Sequence, residues 1–401
     1  MGLKKIASRL KERYIDERQL PNEAKTQLEL DRSGLPESDP GPAAVAAAAI
    51  EWLKRSQDKS IYQDGGSARD YSLVKGWASS YPETSGYIVP TLIDYAELTN
   101  DHQLTDRARR MLDWLVSIQF PEGGFQGGKI DANPCVPVTF NTGQILMGLA
   151  AGVRKFGNSY RAPMSMAAAW LRDTLDEDGC WRKYATPFAA PGEKAYETHV
   201  SWGLFEAARM EPDQGFGEAG LKQVRWALSK QHENGWFASN CLELPEQPLT
   251  HTIGYVLRGV IEAYRFSSDA TLLTAAQKTA DALLKVIESD GRIAGRLNHD
   301  WKPTVNWVCL TGSVQIAACW FLLHSIAGQT EYLEAAKLAN RYVRRTVFLT
   351  GSPDIVGGVR GAYPVNGDYG RYEYLNWAAK FCVDSQLMEM AAIERSTKHS
   401  G

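Results

Sequence analysis

Glycines recur along this chain at nearly constant spacing. The six turn glycines are Gly65, Gly123, Gly179, Gly235, Gly291 and Gly357. The steps between them are 58, 56, 56, 56 and 66 residues. Most of them follow an acidic residue, an Asn or another Gly, as is typical of turns that need positive φ. Self-similarity of this kind indicates that one supersecondary unit is used six times.

A second marker follows each turn glycine about twenty residues later. These positions are Gly86, Gly143, Val200, Gly254, Gly312 and Ala378. Each lies at the start of an apolar segment, where a small residue lets a helix pack closely on its neighbours. An amphipathic segment with apolar residues at i, i+3, i+4 and i+7 then leads to the next turn. Each unit therefore predicts an apolar helix followed by an amphipathic one.

Six such hairpins predict an all-α (α/α)6 toroid, with the apolar helices in an inner ring and the amphipathic helices in an outer ring. An open solenoid is the alternative, but it requires polar capping repeats, and the last repeat is not visibly polar. We expect the toroid to span residues 43–392. An N-terminal arm, a basic helix and a polar linker, precedes it over residues 1–42, and a short tail follows over 393–401.

Charge and composition narrow the classes of partner. The 44 Lys and Arg against 47 Asp and Glu argue against nucleic-acid binding through bulk charge. No uninterrupted apolar stretch is long enough to predict a transmembrane segment. A helix over residues 3–14 has one apolar face among basic residues, which allows membrane-surface contact, although docking on its own domain is the favoured interpretation. Six cysteines without CxxC pairs, and no apolar leader, predict a cytoplasmic protein.

Two turns carry a further pattern of Gln, Gly and an aromatic residue. The two copies are Gln119, Gly123 and Phe125, and Gln231, Gly235 and Trp236. This pattern resembles the Gln-x-x-x-Gly-x-Trp/Phe repeat of squalene cyclases, although the second copy is one residue short. The resemblance implies the terpenoid cyclase and protein prenyltransferase α/α-toroid superfamily for the body of the chain. It also implies that Gln and the aromatic residue tie the outer helix to the turn.

The reactive motifs of that superfamily are missing. The chain has no Asp-x-Asp-Asp acid, no Asp-Asp-x-x-Asp magnesium motif, no Asp-x-Cys zinc pair and no adjacent Cys-His pair. We therefore expect no metal and no cofactor. Other (α/α)6 toroids act on glycans as hydrolases, uronate lyases or epimerases, and residues 357–381 resemble the loops of such proteins in their Tyr, Asn, Asp and Arg content.

The loops that lead into the inner helices are expected to converge on one mouth, together with the positive ends of the helix dipoles. Their mixture of aromatic residues, Arg, Asn and carboxylates is typical of a sugar-binding groove. The candidate catalytic residues are Glu83, Glu197, His251, His299, Tyr369 and Arg371. The candidate substrate-binding residues are Asp70, Tyr81, Arg182, His199, Asn298, Asp300, Asp368, Tyr372 and Trp377.

Structural interpretations compete with these roles. Glu83 and Glu197 occupy helix starts, where a carboxylate is favoured by the dipole alone. His199 and His251 fit helix-entry histidines that bond a neighbouring carbonyl, and residues 298–300 fit a simple Asx turn.

Two reactions fit the candidate residues. A glycoside hydrolase needs two carboxylates across the scissile bond, and the candidates are Glu83, Glu197, Asp300 and Asp368. A uronate lyase or epimerase needs Arg or Asn to neutralise the substrate carboxylate, and a His or Tyr to take the C5 proton.

The histidines in the loops favour proton abstraction on an oligosaccharide or exopolysaccharide. An isoprenoid cyclase or prenyltransferase relative is one competing hypothesis, and a non-catalytic glycan- or protein-binding toroid is another.

Overall fold

The computed structural model describes residues 17–399, with side chains to residue 395. The predicted basic helix at residues 3–14 lies outside this part of the chain. Thirteen α-helices account for most of the described residues. Helix α1 is Asn22–Arg32, and the outer helices are α2 Pro42–Asp58, α4 His102–Ser117, α6 Arg161–Asp173, α8 Phe216–Leu228, α10 Ala270–Leu284 and α12 Thr330–Arg344. The inner helices are α3 Pro82–Thr99, α5 Thr139–Phe156, α7 Thr198–Met210, α9 Thr250–Ser267, α11 Leu310–Ala327 and α13 Asn376–His399.

The inner helices form a closed ring. Each packs on the next along the chain, and α13 returns to contact α3. Each of the first five inner helices also packs on the outer helix that follows it, whereas α13 packs on α2, the first outer helix. The two ends of the chain therefore complete the sixth hairpin together. This arrangement confirms the predicted (α/α)6 toroid. Helix α13 continues through residues 393–399, where the sequence predicted a separate tail.

The six turn glycines share one conformation and one kind of contact. All of them have positive φ, between 77° and 106°. A Cβ at any of them would approach a backbone carbonyl oxygen of the next outer helix around the ring. At Gly357 that oxygen belongs to Ala48 on α2, so the last turn packs on the first outer helix. The repeat therefore reflects a steric requirement of the ring as well as of the turn.

The small residues near the inner-helix starts pack as predicted. A Cβ on Gly86 would meet the backbone of Ile145 on the adjacent inner helix, and Gly143 stands in the same relation to Val200. Helix α11 is apolar enough to cross a membrane by length and composition, with a mean hydropathy of 1.4, but 72% of it is buried inside the protein. Its position in the inner ring explains that apolar character.

The Gln of the squalene-cyclase-like repeat has the structural role that the resemblance implies. Gln119 Nε2 donates to the carbonyl oxygens of Gly123 (2.9 Å) and Pro163 (3.0 Å), which joins the turn to the next outer helix. Gln231 Nε2 reaches the next outer helix at the carbonyl of Ala275 (2.8 Å). Gln57 makes equivalent bonds in the first unit, where the pattern is not visible in the sequence.

In the part of the chain that the structure describes, five short strands lie in the loops at the mouth of the ring. They are β1 Asp70–Ser72, β2 Gly76–Trp77, β3 Val308–Cys309, β4 Ala362–Tyr363 and β5 Glu373–Leu375. The first sheet has the order β2-β1-β5, and Asp70 is paired with Leu375 and Ser72 with Glu373. The second sheet pairs β3 with β4. The first sheet thus fixes the first loop, residues 59–81, to the last loop, residues 345–375.

The described part of the N-terminal arm is docked on the last loop. Asp31 on α1 forms a buried ion pair with Arg360 (2.7 Å) and accepts a hydrogen bond from the Val365 N–H (2.7 Å). Asp39 forms a second ion pair with Arg344 on α12 (2.6 Å). The described part of the arm is therefore fixed to the body of the protein, and it supports the loop that carries Tyr369 and Glu373.

Candidate active site

One cavity of about 740 Å³ lies at the mouth of the ring. Its walls come from the first turns of α3, α5, α9 and α13 and from the loops that lead into them. Its volume is typical of a site for a small molecule. Four of the six inner-helix N-termini therefore meet at one site, whereas the repeat predicted that all six would. We refer to it as the central cavity.

Glu83 is a buried carboxyl group in the wall of the central cavity. It is the second residue of α3, and its Oε2 accepts hydrogen bonds from Tyr81 Oη (2.9 Å) and Asn141 Nδ2 (2.9 Å). Burial disfavours the charged carboxylate and raises the pKa of Glu83 to about 7, although the Tyr81 bond and the charge of Arg69 act in the opposite direction. Near neutral pH this group is therefore poised to give or take a proton.

His251 is a buried imidazole that faces the same cavity. It is the second residue of α9, and its Nδ1 lies 2.7 Å from Gln315 Oε1 on α11. Burial lowers the pKa of His251 to about 4, and the Gln315 bond only partly offsets this effect. The ring is therefore neutral at physiological pH. The bond at Nδ1 leaves Nε2 as the nitrogen available to a ligand.

Aromatic rings form much of the wall between Glu83 and His251. Trp377 Nε1 donates to Tyr369 Oη (2.8 Å), and the Tyr369 ring lies 5.4 Å from the His251 ring. The ring centres of Tyr255 and His251 are 4.3 Å apart. The remaining aromatic lining comes from Trp77, Tyr81, Tyr87, Phe140, Phe188 and Tyr196. Flat faces edged by hydroxyl and N–H groups suit the stacking and hydrogen bonding of sugar rings.

A charged cluster forms the side of the cavity near the first sheet. Arg69 Nη1 donates to Asp70 Oδ1 (2.5 Å) and Glu373 Oε2 (3.0 Å), and its guanidinium lies 5.1 Å from the centre of the Trp377 ring. Burial raises the pKa of Glu373, against the effect of the Arg69 charge. Lys75 completes the charged lining on this side. Both carboxylates of the cluster are thus already bound to one arginine.

The structure brings six of the sequence-predicted residues together. The candidates that line the central cavity are Asp70, Tyr81, Glu83, His251, Tyr369 and Trp377. Glu83, His251 and Tyr369 are predicted catalytic residues, and the other three are predicted substrate-binding residues. The hydrogen bonds of Glu83 run to side chains, so the helix-capping interpretation does not account for its position.

Three other candidates are buried outside the cavity lining. Glu197 lies next to Tyr196, and burial raises its pKa to about 8. His199 is buried with its Nδ1 2.7 Å from Gln144 Oε1, and burial lowers its pKa well below the usual value. Tyr372 is packed in the core of the last loop and is 2% exposed.

The remaining candidates lie on loop surfaces. Arg182 is half-exposed and forms ion pairs with Asp176, Asp178 and Glu193. Residues 298–300 form the Asx turn that the structural interpretation predicted. Asn298 Oδ1 accepts from the Asp300 N–H, and His299 pairs with Asp300 at 3.0 Å. Asp368 and Arg371 flank Tyr369 in the last loop and do not line the cavity.

Several lining residues were not among the predicted candidates. Asn141, Tyr87, Tyr255 and Glu373 are the main ones. The repeat offers a signal for Tyr87 and Tyr255, because the second and sixth residues of the inner helices supply much of the cavity lining. Asn141 is the third residue of α5 and Glu373 lies on β5, so neither follows this pattern. The second residues include Glu83, Phe140, His199, His251 and Trp377, and the sixth residues include Tyr87, Gln144, Tyr255 and Gln315. Within the described residues, no group of three His, Cys, Asp or Glu side chains is placed to hold a metal ion.

Solved structures share this fold over most of their length. An unsaturated glucuronyl hydrolase specific for heparin matches with a TM-score of 0.69 at 15% identity, over 87% of this chain and 97% of that one. A cellobiose 2-epimerase from Bacillus thermoamylovorans matches with a TM-score of 0.65 at 11% identity, over 91% and 100%. This chain has the fold of glycan-active (α/α)6 toroids.

A third match contains a bound disaccharide. It is an unsaturated glucuronyl hydrolase mutant from Streptococcus agalactiae complexed with dGlcA-GalNAc6S, with a TM-score of 0.62 at 11% identity over 88% of this chain and 96% of that one. No protein-family model matches the sequence, and no curated protein matches it. The structural similarity agrees with the resemblance of the last loop to the loops of glycan-active toroids. At such low sequence identity the similarity shows the fold alone.

Proposed function

We propose that this protein is a carbohydrate-active enzyme that transfers protons on a short oligosaccharide in the central cavity. A single observation carries the proposal: a carboxyl group with a pKa of about 7 and an imidazole with a pKa of about 4 face the same aromatic cavity. Two titratable groups whose environments push their pKa values in opposite directions are typical of an acid–base pair.

Glu83 is the proposed proton donor. Its pKa of about 7 means that it is substantially protonated at neutral pH. After it donates a proton, the carboxylate takes up another proton at the same pH. His251 is the proposed acceptor, because it stays neutral down to about pH 4 and presents an unprotonated nitrogen at every physiological pH. Tyr369 and Trp377 would orient the sugar against these two groups.

We favour abstraction of a proton from a sugar carbon, as in a uronate lyase or an epimerase. A hydrolase of the usual kind needs a second free carboxylate across the scissile bond. Here Asp70 and Glu373 are the other carboxylates of the lining, and both are bound to Arg69. Lys75 and Lys129 at the rim would meet the carboxylate of a uronate.

Hydrolysis is the second candidate. Glu83 would protonate the leaving oxygen, and His251 would activate a water molecule in place of a second carboxylate. Two of the structural matches are unsaturated glucuronyl hydrolases, and this likeness in fold favours hydrolysis. A uronate-bearing disaccharide is therefore the first substrate to test for either reaction.

An isoprenoid cyclase and a non-catalytic toroid would use the same cavity differently. An isoprenoid cyclase would use the aromatic wall to stabilise a carbocation, but Arg69, Asp70, Lys75 and Glu373 give the cavity a polarity that suits hydroxyl-rich ligands better. A non-catalytic toroid would bind a glycan without turnover. The proposal includes a cytoplasmic location, which is supported by six free cysteines, five of them buried.

Mass spectrometry of a glycan panel tests the proposal. The panel contains saturated uronate oligosaccharides, unsaturated uronate disaccharides and neutral disaccharides, each incubated with the protein and analysed for products. A lyase gives a 4,5-unsaturated product without uptake of water, a hydrolase adds one water per cleavage, and an epimerase changes retention time at constant mass. Binding without any product would support the non-catalytic toroid. Conversion of a polyprenyl diphosphate, incubated with the protein separately, would support the isoprenoid cyclase.

A further inference from the structure

His251 is held from the neighbouring inner helix by one side chain. Gln315 is the sixth residue of α11, and its Oε1 lies 2.7 Å from His251 Nδ1. Both side chains are almost completely buried, at 5% and 4% exposure. A carbonyl oxygen only accepts hydrogen bonds, so a proton on Nδ1 satisfies this contact and leaves the lone pair on Nε2.

We propose that Gln315 is a positioning residue that fixes His251 in the tautomer with its proton on Nδ1 and its Nε2 lone pair toward the central cavity. The inference rests on the proposed role of His251 as proton acceptor. With the other tautomer, Nε2 would carry a proton and could not accept one. Gln315 would thus decide whether the imidazole is a base or a donor at the atom that meets the substrate.

The backbone of α9 leaves room for this contact. A Cβ on Gly254 would lie 2.8 Å from Gln315 Cβ and 3.2 Å from Gln315 Oε1. The absence of a side chain at Gly254, one turn after His251, therefore lets the Gln315 amide reach the imidazole. Replacement of Gly254 by Ala would push the amide away from its position.

The Gln315 amide group makes only part of the hydrogen bonds that it could make. Its Nε2 is buried without a hydrogen-bond partner. A buried amide donor without a partner destabilises the folded protein, and an apolar residue of similar shape would avoid that loss. A glutamine whose purpose was packing alone would be a poor choice at this position. The contact with His251 gives it a reason to be there.

A second pair provides an internal control. His199 is the second residue of α7, and its Nδ1 lies 2.7 Å from Gln144 Oε1, where Gln144 is the sixth residue of α5. The Nδ1–Oε1 distance is the same in both pairs, although Gln144 comes from the preceding inner helix and Gln315 from the following one. His199 does not line the central cavity, and its Nε2 is buried without a partner. Replacement of Gln144 therefore removes the same kind of bond from a histidine that does not face the ligand.

The titration of His251 takes place among few other ionisable groups. Tyr255 faces it from its own helix, Tyr369 from the last loop and His199 from α7. Cys309 lies just before α11, and its sulfur accepts a hydrogen bond from the backbone N–H of His251. Burial raises the pKa of this thiol to about 11. Between pH 4 and 8 the tyrosines and the thiol keep their charge. Glu83, in the wall of the same cavity, has a pKa of about 7, so its ionisation is separated from that of His251 near pH 4.

Nitrogen-15 NMR of the imidazoles tests the proposal without any substrate. In the wild-type protein we expect His251 as the Nδ1–H tautomer from pH 8 down to about pH 4. Gln315→Leu should populate both tautomers, and Gln315→Glu should raise the pKa of His251 by about 1–3 units because a carboxylate favours the imidazolium. Gly254→Ala should also populate both tautomers of His251. Gln144→Leu should leave the His251 signals unchanged.

The kinetic arm uses whichever glycan is turned over. Gln315→Leu should lower kcat about 10–100-fold with little change in KM, and Gln315→Glu should move the acid limb of the pH profile upward. An Nε2–H tautomer in the wild-type protein would overturn the proposal, as would equal effects of Gln144→Leu and Gln315→Leu on His251. If no glycan is turned over while the NMR result holds, the proposed reaction fails and the positioning role stands.

Discussion

Gly357 packs directly on the carbonyl oxygen of Ala48, which joins the last turn of the chain to its first outer helix. Five other turn glycines make the same contact with the outer helix that follows them. The Gly357 contact differs because its two partners lie at opposite ends of the sequence. It is therefore one of the contacts that close the ring by joining the first unit to the last.

Replacement of Gly357 by Ala should destabilise the protein more than the backbone conformation alone explains. The Cβ would be placed at positive φ and would also collide with Ala48. We expect a loss of about 3 kcal/mol or more in the free energy of unfolding, measured by urea denaturation. Gly328→Ala is the matched control, because Gly328 has a similar φ of 74° but nothing within 4 Å of its Cβ position. Equal losses for the two variants would contradict the role in ring closure.

The ion pair of Asp31 and Arg360 should contribute strongly to stability. Removal of Asp31 leaves Arg360 buried and without its carboxylate, which typically costs about 3–5 kcal/mol. We expect Asp31→Ala to show this loss in urea denaturation and to increase hydrogen exchange in the last loop. Glu51→Ala breaks the more exposed pair with Lys54 and should change stability by less than about 0.5 kcal/mol. An unchanged last loop in Asp31→Ala would show that the arm does not support it.

Glu83 should make the protein less stable as the pH rises. Its pKa is raised from 4.5 to about 7 by burial, so below pH 4.5 it is protonated in both the folded and unfolded states. Between pH 4.5 and 7 the unfolded state ionises first, and unfolding becomes easier by about 3 kcal/mol in total. Glu83→Gln cannot ionise and should lack this loss. Parallel stability curves for the two proteins would contradict the buried, uncharged form of Glu83.

Glu197 offers a comparison with a different pH window. Its pKa is raised from 4.5 to about 8, also by burial, but it lies outside the central cavity. Glu197→Gln should therefore gain stability over the wild-type protein progressively from pH 4.5, and the gain should level off near pH 8 rather than pH 7. Thermal unfolding in a pH series measures both windows. A gain that levels off at the same pH for both variants would show that the two carboxyl groups are not distinct.

The ring could be predicted from the sequence because its constraints are local and repeated. A turn with positive φ needs Gly, and a close approach of two helices needs a small residue, so Gly123 and Gly143 mark the same places in unit after unit. Both requirements act within one hairpin, where spacing along the chain reports directly on the structure. The pairing of α2 with α13 has no such local signal.

The site could be predicted only in part, because its members come from different loops. Glu83 and Asn141 are far apart in the chain, and their hydrogen bond depends on how α3 and α5 pack. The repeat alone predicts an equal contribution from the loop before each inner helix. The fifth loop instead folds on itself through the Asx turn of Asn298, so His299 and Asp300 remain at the surface.

The buried candidates show a second limit of sequence reasoning. His199 and His251 occupy the same position in successive inner helices, and their local sequences are similar. Of the two, only His251 lines the central cavity, where the ring of Tyr369 from the last loop lies 5.4 Å from the His251 ring. A property set by the whole ring decides which copy of a repeated residue can meet a ligand.

The central claim is that Glu83 and His251 transfer protons on a glycan. Turnover of uronate and neutral disaccharides in D₂O, followed by NMR for the wild-type protein and Glu83→Gln, tests it most directly. We predict either a product that carries solvent deuterium on a sugar carbon, from epimerisation, or a 4,5-unsaturated product that has lost its C5 proton, from elimination. In both cases the rate should be about 10²–10⁴-fold lower for Glu83→Gln at unchanged affinity. Equal turnover by the two proteins, or binding of the glycans by both without any product, would contradict it.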